Sequence, residues 1–261
     1  MKIGIIGLGI MGSAFYKGII KTFDEKDIYL CDKDVSKLFD YNKSNSTTHI
    51  ETMLPKCDIV ILAIKPQSLP ELMKVIDHNL KDKLVISIMA GVTIDNLKQK
   101  TGSERIVRAM PNLPVEIEKG MIGWIATKKV TPKEKELVRI IFEPLGEQIE
   151  LKDESKIDFI TALSGSGPAY FFYLSELLAR KAKKVGFSSK EAMLIAEQTL
   201  IGSGCLVGRN KNLSVSEWKE AVTSKGGTTE AALTYLDQSE FPKIFEQALE
   251  EAIIRAKELN Q

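Results

Sequence analysis

A glycine-rich turn near the beginning of the chain limits its possible folds more than any other feature. The segment IGIIGLGIMGSA places Gly7, Gly9 and Gly12 in a GxGxxG pattern, directly after an apolar, strand-like run and directly before a helical stretch. A strand, a tight turn and a helix in this order are typical of the first βαβ unit of a doubly wound parallel sheet. The turn therefore predicts an α/β fold for this part of the chain.

The three glycines also predict a ligand. Gly7 permits the tight turn, Gly9 lets the backbone approach a pyrophosphate, and Gly12 lets the helix pack closely against the strand. The N-terminus of the helix would offer free N–H groups and a partial positive charge to the phosphates. We therefore expect a dinucleotide site made by the whole turn, which also contains Leu8, Ile10 and Met11.

An acidic residue 20 positions after Gly12 supports the same site. Asp32 ends the second predicted strand and Lys33 follows it. A carboxylate here can accept a hydrogen bond from the ribose of NADH but repels the 2′-phosphate of NADPH. Lys33 would offset part of that repulsion as a flexible cation. The pair predicts that NADH and NADPH are both used, with a preference for NADH; the alternative is a surface turn that contacts no ligand.

Strand-like and helix-like segments alternate up to about residue 153, and helical segments follow one another after it. This pattern predicts a Rossmann-like α/β domain at 1–153 and an all-helical domain at 154–261. The predicted strands of the first domain are 2–6, 28–31, 59–64, 84–88, 105–109 and 121–126, and its predicted helices are 11–21, 68–80, 94–100 and 133–142.

Composition excludes several classes of function. A net charge of +1 gives no field that would recruit nucleic acid or an anionic membrane, and the apolar runs are too short to span a bilayer. We therefore expect a cytoplasmic protein without nucleic-acid or membrane partners. The cysteines (Cys31, Cys57, Cys205) and histidines (His49, His78) are scattered, so the sequence predicts neither a metal site nor a nucleophilic triad.

Five further segments resemble one known family, the pyrroline-5-carboxylate reductases. They are AIKP at 63–66, AG at 90–91, RAMPN at 108–112, ALSGSGPAY at 162–170 and VTSKGGTTEAAL at 222–233, of which the last is the most specific. The resemblance implies a Rossmann domain followed by an all-α dimerisation domain. It implies hydride transfer from NAD(P)H to the ring C=N of pyrroline-5-carboxylate, which gives proline. It also implies an intertwined homodimer that can assemble further.

Two of these segments follow predicted strands and so lie where doubly wound sheets bind ligands. We therefore expect Ala63, Lys65, Pro66 and Ala90 to contribute to the cofactor site.

The implied substrate is a cyclic imine with a carboxylate. Its reduction needs a carboxylate clamp, a hydride donor held over the ring and a modest donor to the nitrogen, but no metal. Backbone N–H groups before a helix can hold the carboxylate, and two segments offer them: Ser164 to Gly167, and the loop of Ser224, Gly226, Gly227 and Thr228. The alternative for the first segment is tight packing between domains.

The resemblance gives Thr229 the hydrogen bond to the ring nitrogen. Thr228 or Thr229 could instead be a plain helix N-cap, because threonine is common at that position.

Three departures from the family pattern keep other hypotheses open. Ile10 stands where the family usually has Asn, Lys225 where it often has Pro, and Arg180 where it usually has an acid. One alternative is a β-hydroxyacid dehydrogenase, although the lysines at 181–184 fit a solvated helix face better than a catalytic position. The other is a non-catalytic relative that binds a dinucleotide.

Overall fold

The computed structural model describes residues 1–76, 80–210 and 212–260. The chain forms two compact units, one made of Met1–Ser166 with the segment from Ala252 onward, the other of Gly167–Glu251. The domain boundary after residue 153 stays a prediction.

The first unit contains a single sheet with helices between its strands. Its strands are β1 (Ile3–Ile6), β2 (Ile28–Cys31), β3 (Ser46–Thr47), β4 (Ile59–Leu62), β5 (Leu84–Ser87), β6 (Ile106–Met110), β7 (Gly120–Ala126) and β8 (Gly146–Glu150). Its helices are α1 (Ile10–Ile19), α2 (Ile50–Met53), α3 (Leu69–Ile76), α4 (Ile94–Thr101), α5 (Pro132–Phe142) and α6 (Lys156–Ile160).

The strand order is β3-β2-β1-β4-β5-β6-β7-β8, and every neighbouring pair is parallel except β6 with β7. The chain leaves β1 towards β2 on one side and returns to β4 on the other. This reversal is the topological switch point where doubly wound sheets bind their ligands. The glycine turn follows β1 directly and therefore lies at that point.

Apolar packing on both faces explains the central strands. Every residue of β1, β2, β4 and β5 is buried, and two apolar clusters cover the opposite faces of the sheet. Strands buried on both faces are continuous apolar runs, and the sequence predicts them for that reason.

All six predicted strands and all four predicted helices of the first unit are present, with ends shifted by a few residues. The predicted helix at 68–80 is described as Leu69–Ile76; residues 77–79, including His78, lie outside the described residues. Strands β3 and β8 and helix α2 were not predicted from the sequence. Strand β8, GEQIE, is polar and only partly buried, so it carries no apolar signal.

The second unit is helical, as predicted. Its helices are α7 (Gly167–Lys184), α8 (Ser189–Arg209), α9 (Val215–Ala221), α10 (Thr228–Gln238) and α11 (Phe241–Glu258), whose last turns from Ala252 belong to the first unit. Ser188 and Ser214 form reciprocal capping boxes with Glu191 and Glu217, so both predicted helix starts are confirmed. No helix of the described residues is long and apolar enough to cross a membrane.

Candidate active site

The glycine turn has the backbone geometry that its sequence predicts. Gly7 has φ of +95°, and a Cβ on it would lie 2.7 Å from the carbonyl oxygen of Ala63. A Cβ on Gly12 would lie only 1.8 Å from the carbonyl oxygen of Gly7. Side chains are therefore sterically excluded at both positions, and α1 packs directly against the turn and the end of β4.

Gly9 differs from the other two glycines. A Cβ built on it meets no atom of the described residues within 4 Å. Gly9 is also the N-cap of α1 and makes no side-chain cap, so the first N–H groups of the helix, at Ile10 and Met11, have no capping side chain. The geometry fits a pyrophosphate held by backbone N–H groups. The buried Leu8 and the exposed Ile10 flank the space.

Asp32 has a structural role that the sequence analysis did not predict. Its buried carboxylate accepts hydrogen bonds from the backbone N–H of Leu8, at 2.7 Å, and of Asp34, at 2.9 Å. The Lys37 ammonium lies 3.3 Å from the same oxygen that accepts from Leu8. Asp32 therefore ties the end of β2 to the glycine turn. Its contact with a ribose hydroxyl stays a prediction.

Lys33 lies on the surface beside this carboxylate. Its side chain is 82% exposed, and its ammonium lies 3.7 Å from the Glu71 carboxylate on α3. An ion pair this exposed contributes little to stability, so Lys33 is free to exchange partners.

The remaining predicted cofactor residues lie at the carboxyl ends of β4 and β5. The backbone N–H of Ala63 donates to Ile6 at 2.8 Å, which places Ala63 against the glycine turn. Lys65 precedes a short 3₁₀ turn in which Pro66 is the first residue. Ala90 follows β5 and is half-buried. The structure thus brings these residues to the same edge of the sheet as the turn.

The prediction of an N–H-rich loop at Ser164 to Gly167 is wrong. Residues Thr161–Gly165 form a π-helical turn between α6 and α7, and the N–H of Ser166 donates to the carbonyl of Thr161 at 2.9 Å. The glycines and serines of this segment indicate a turn locally, but the helices on both sides continue through it. Single π turns inside helices are frequent at functional sites.

Asn112 holds this π turn in place, a role that the sequence did not assign. Its amide nitrogen donates to the Ser164 hydroxyl at 3.2 Å, and its amide oxygen accepts from the N–H of Met121 at 2.8 Å. Ser164 is therefore fixed against the loop between β6 and β7, and its contact with substrate stays a prediction.

The loop before α10, in the second unit, is only partly an open N–H nest. Gly226 has φ of +73°, and its N–H donates to the Glu230 carboxylate at 2.6 Å. The N–H of Gly227 donates to the carbonyl of Ser224 at 2.9 Å. A Cβ on Gly227 would lie 2.5 Å from the Ser224 hydroxyl. The two glycines are thus needed for the turn itself.

The N-cap of α10 is Gly227, so the alternative that Thr228 or Thr229 is the N-cap is wrong. Thr228 and Thr229 are the first two helical residues, with Thr228 exposed and Thr229 half-buried. Their N–H groups and that of Glu230 are the ones that a helix start leaves available to a ligand. The Glu230 carboxylate at this site was missed by the sequence analysis.

The two buried cysteines, Cys31 and Cys57, are not suited to act as nucleophiles. Burial raises the pKa of the Cys31 thiol to about 12 and that of the Cys57 thiol to about 11, so both stay neutral at physiological pH. Among the described residues, no three His, Cys, Asp or Glu side chains are grouped so that they could hold a metal ion.

Comparison with known proteins identifies the family. Residues 154–259 match the model for pyrroline-5-carboxylate reductase dimerisation, and residues 2–91 match that of the coenzyme F420-dependent NADP oxidoreductases. The pyrroline-5-carboxylate reductase of Haemophilus influenzae is 32% identical over 98% of this chain and 97% of its own length. The chain belongs to the pyrroline-5-carboxylate reductase family.

Solved structures agree with this assignment. A pyrroline-5-carboxylate reductase from Coxiella burnetii is 34% identical, with a TM-score of 0.90 over 100% of this chain and 98% of its own. The enzyme from Plasmodium falciparum, solved with NADP bound, is 30% identical, with a TM-score of 0.84 over 100% and 98%. The family and fold expected from the resemblance are confirmed, and family membership disfavours a β-hydroxyacid dehydrogenase.

Proposed function

We propose that this protein reduces 1-pyrroline-5-carboxylate to L-proline with NADH or NADPH as hydride donor, the last step of proline biosynthesis. The observation that carries the proposal is the open space at Gly9, at the N-terminus of α1, in a chain related to these reductases along its whole length. This space suits the pyrophosphate of a nicotinamide dinucleotide.

The bound dinucleotide supplies the hydride, and residues of this chain orient it. The turn from Gly7 to Gly12 holds the pyrophosphate through backbone N–H groups. Ala63, Lys65, Pro66 and Ala90 line the other half of the site, because they follow β4 and β5. Asp32 keeps the turn in place, and with Lys33 it decides between NADH and NADPH. We retain the preference for NADH that the charge of Asp32 predicts.

The protonated imine is already a good hydride acceptor, so the protein needs only to bind and orient it. The loop from Ser224 to Thr228 binds the substrate carboxylate through the free N–H groups at the start of α10. The Thr229 hydroxyl donates a hydrogen bond to the ring nitrogen and supports its protonation. Ser164 contributes a hydroxyl to the substrate site.

Self-association follows from family membership and from the dimerisation domain that the chain matches. We propose that the dimer is intertwined and that dimers assemble further. Helices α7 and α8 leave large apolar side chains exposed, more than a monomer normally shows. Examples are Phe171, Phe172, Tyr173, Leu194 and Ile201. We also propose the cytoplasm as its location, as the composition predicts.

The test is a comparison of substrates with the purified protein. Loss of NADH or NADPH absorbance with pyrroline-5-carboxylate, and none without it, supports the proposal. Reduction of NAD or NADP with 3-hydroxy acids alone would instead support a hydroxyacid dehydrogenase. Tight cofactor binding without any turnover would support a non-catalytic relative and contradict the proposal.

A further inference from the structure

A buried arginine joins four parts of the first unit. Arg108, on β6, has only 3% of its side chain exposed, and it donates to the Glu154 carboxylate at 2.6 Å. It also donates to the amide oxygen of Asn260 at 2.9 Å, and the Asp158 carboxylate lies 3.7 Å from it. A guanidinium taken out of water needs such partners, so the loss of one of them is costly.

Asn260, near the end of the chain, uses both ends of its amide in this cluster. Its oxygen accepts from Arg108 and its nitrogen donates to Asp158, on α6, at 2.9 Å. Ile253 and Ala256 are buried on the same side of the helix end. The segment from Ala252 to Asn260, which we call the C-terminal clasp, is thus docked by apolar packing and by an amide that is hydrogen-bonded at both its oxygen and its nitrogen.

The same cluster reaches the loop between β5 and α4. The Glu154 oxygen that accepts from Arg108 also accepts from the N–H of Ile94, the first residue of α4, at 2.8 Å. On the other side of the loop, Gly91 has φ of +71°, and a Cβ on it would lie 2.4 Å from the carbonyl oxygen of Leu259. Glu154 therefore fixes the end of the loop at Ile94 through a hydrogen bond. The clasp packs closely against the loop at Gly91.

This loop follows β5 and contains Ala90. The dinucleotide of a doubly wound fold extends from the switch point across the carboxyl ends of the strands. We propose that the C-terminal clasp is a positioning element for the cofactor: through Arg108 and Leu259 it fixes the loop at residues 88–93 in the conformation that binds the nicotinamide dinucleotide. Asn260 is then a positioning residue, remote in sequence from the glycine turn. The proposal rests on the dinucleotide site of the proposed function.

The test compares two variants of Asn260 with a neighbouring control. Asn260→Ala removes both amide bonds, whereas Asn260→Gln keeps the amide on a side chain one methylene longer. Glu258→Gln is the control, because it removes only the exposed pair with Arg255. Two quantities are measured without substrate: the dissociation constants for NADPH and NADH by protein fluorescence, and hydrogen exchange of residues 88–94 in the cofactor-free protein. A third, kcat at saturating cofactor, is measured with pyrroline-5-carboxylate.

We expect Asn260→Ala to raise both dissociation constants about tenfold, equal to about 1.4 kcal/mol. Exchange at Ile94 should accelerate by a similar factor, because its bond to Glu154 depends on Arg108. The kcat at saturating cofactor should stay within about twofold of the original, since the loss lies in binding. The dissociation constants and exchange rate of Asn260→Gln should lie between those of Asn260→Ala and those of the unchanged protein. Glu258→Gln should match the unchanged protein.

Unchanged affinity and exchange in Asn260→Ala would overturn the proposal. If that variant does not fold, Asn260→Gln decides: unchanged dissociation constants overturn the proposal, and a rise with faster exchange supports it. Failure of the proposed function is visible separately, because an unmodified protein that binds NADPH but leaves pyrroline-5-carboxylate unreduced contradicts that function alone. An unmodified protein that binds neither cofactor overturns the clasp proposal as well.

Discussion

Two glycines three residues apart should respond differently to the same substitution: Gly12→Ala should lower both stability and cofactor affinity, whereas Gly9→Ala should lower cofactor affinity alone. In Gly12→Ala the new Cβ would lie 1.8 Å from the carbonyl oxygen of Gly7, whereas ordinary contact begins at 3.4 Å. Helix α1 and the turn would have to separate by about 1.6 Å. Overpacking of this kind costs about 1–3 kcal/mol of unfolding free energy, or roughly 5 °C in Tm for a chain of this size. Cofactor affinity should fall as well, because the turn moves.

In Gly9→Ala the new Cβ meets nothing within 4 Å, and the backbone, with φ of −73° and ψ of −170°, is open to alanine. Alanine stabilises the protein by restricting the unfolded chain, but it is a poorer N-cap than glycine. Because the two effects oppose each other, the free energy of unfolding should change by less than about 1 kcal/mol. The Cβ would occupy the space that we assign to the pyrophosphate. NADPH and NADH should therefore bind at least about tenfold more weakly, a loss of about 1.4 kcal/mol.

Thermal unfolding of the cofactor-free proteins, together with fluorescence titration of both cofactors, separates the two effects. Each variant serves as the control for the other. If Gly9→Ala binds both cofactors as tightly as the unchanged protein, the pyrophosphate does not approach Gly9 and the assigned site is wrong. If Gly12→Ala is as stable as the unchanged protein, α1 does not pack against Gly7 as closely as the structure shows.

The remaining predictions concern the reaction, the cofactor and the assembly. Thr229→Ala should lower kcat about 10²-fold with Thr229→Ser retaining much more, and an unchanged kcat in the alanine variant would exclude Thr229 as a donor. Asp32→Asn keeps an acceptor for the N–H of Leu8 but removes the charge, so the ratio of the kcat/KM values for the two cofactors should shift towards NADPH. Lys33→Ala should shift the same ratio towards NADH. If neither substitution shifts the ratio, these two residues do not discriminate between the cofactors. Ile201→Glu places a charge in the groove between α7 and α8 and should lower the molar mass seen by light scattering at micromolar concentration, whereas an unchanged mass would place the interface elsewhere.

The fold of the first unit was predictable because the sequence features that indicate it lie within single elements and turns. The buried strands are short apolar runs, and the turn between β1 and α1 needs glycines at positions that the sequence shows. Strand β8 gives no sequence signal because pairing with β7, rather than an apolar face, holds it in the sheet. Only Ile149 is a large apolar residue in it, and that side chain is 45% exposed. Such a strand depends on pairing, and pairing leaves no periodic signal.

The site was predictable where it depends on backbone conformation and not where it depends on long-range contacts. The roles of Gly7 and Gly12 follow from their spacing together with the strand-like run before them and the helical stretch after them. The hydrogen bond from Arg108 to Asn260 joins residues 152 positions apart, and no local pattern indicates it. The π turn before α7 was misjudged for a related reason: glycine and serine favour a turn locally, but Asn112 and the flanking helices hold the segment in a helical form.

The three departures from the family pattern lie where side chains can change without moving the backbone of the site. Ile10 is the first residue of α1 and is 60% exposed, so the helix still presents the same N–H groups. Lys225 is exposed, and the loop after it keeps the positive φ of Gly226 and the bond from Gly227 to Ser224. Arg180 lies in the groove between α7 and α8, on the second unit's surface. The turns at Gly9 and Gly226 and the backbone N–H groups at the starts of α1 and α10 are all present with these three residues in place, and we therefore favour a catalytic protein over a non-catalytic relative.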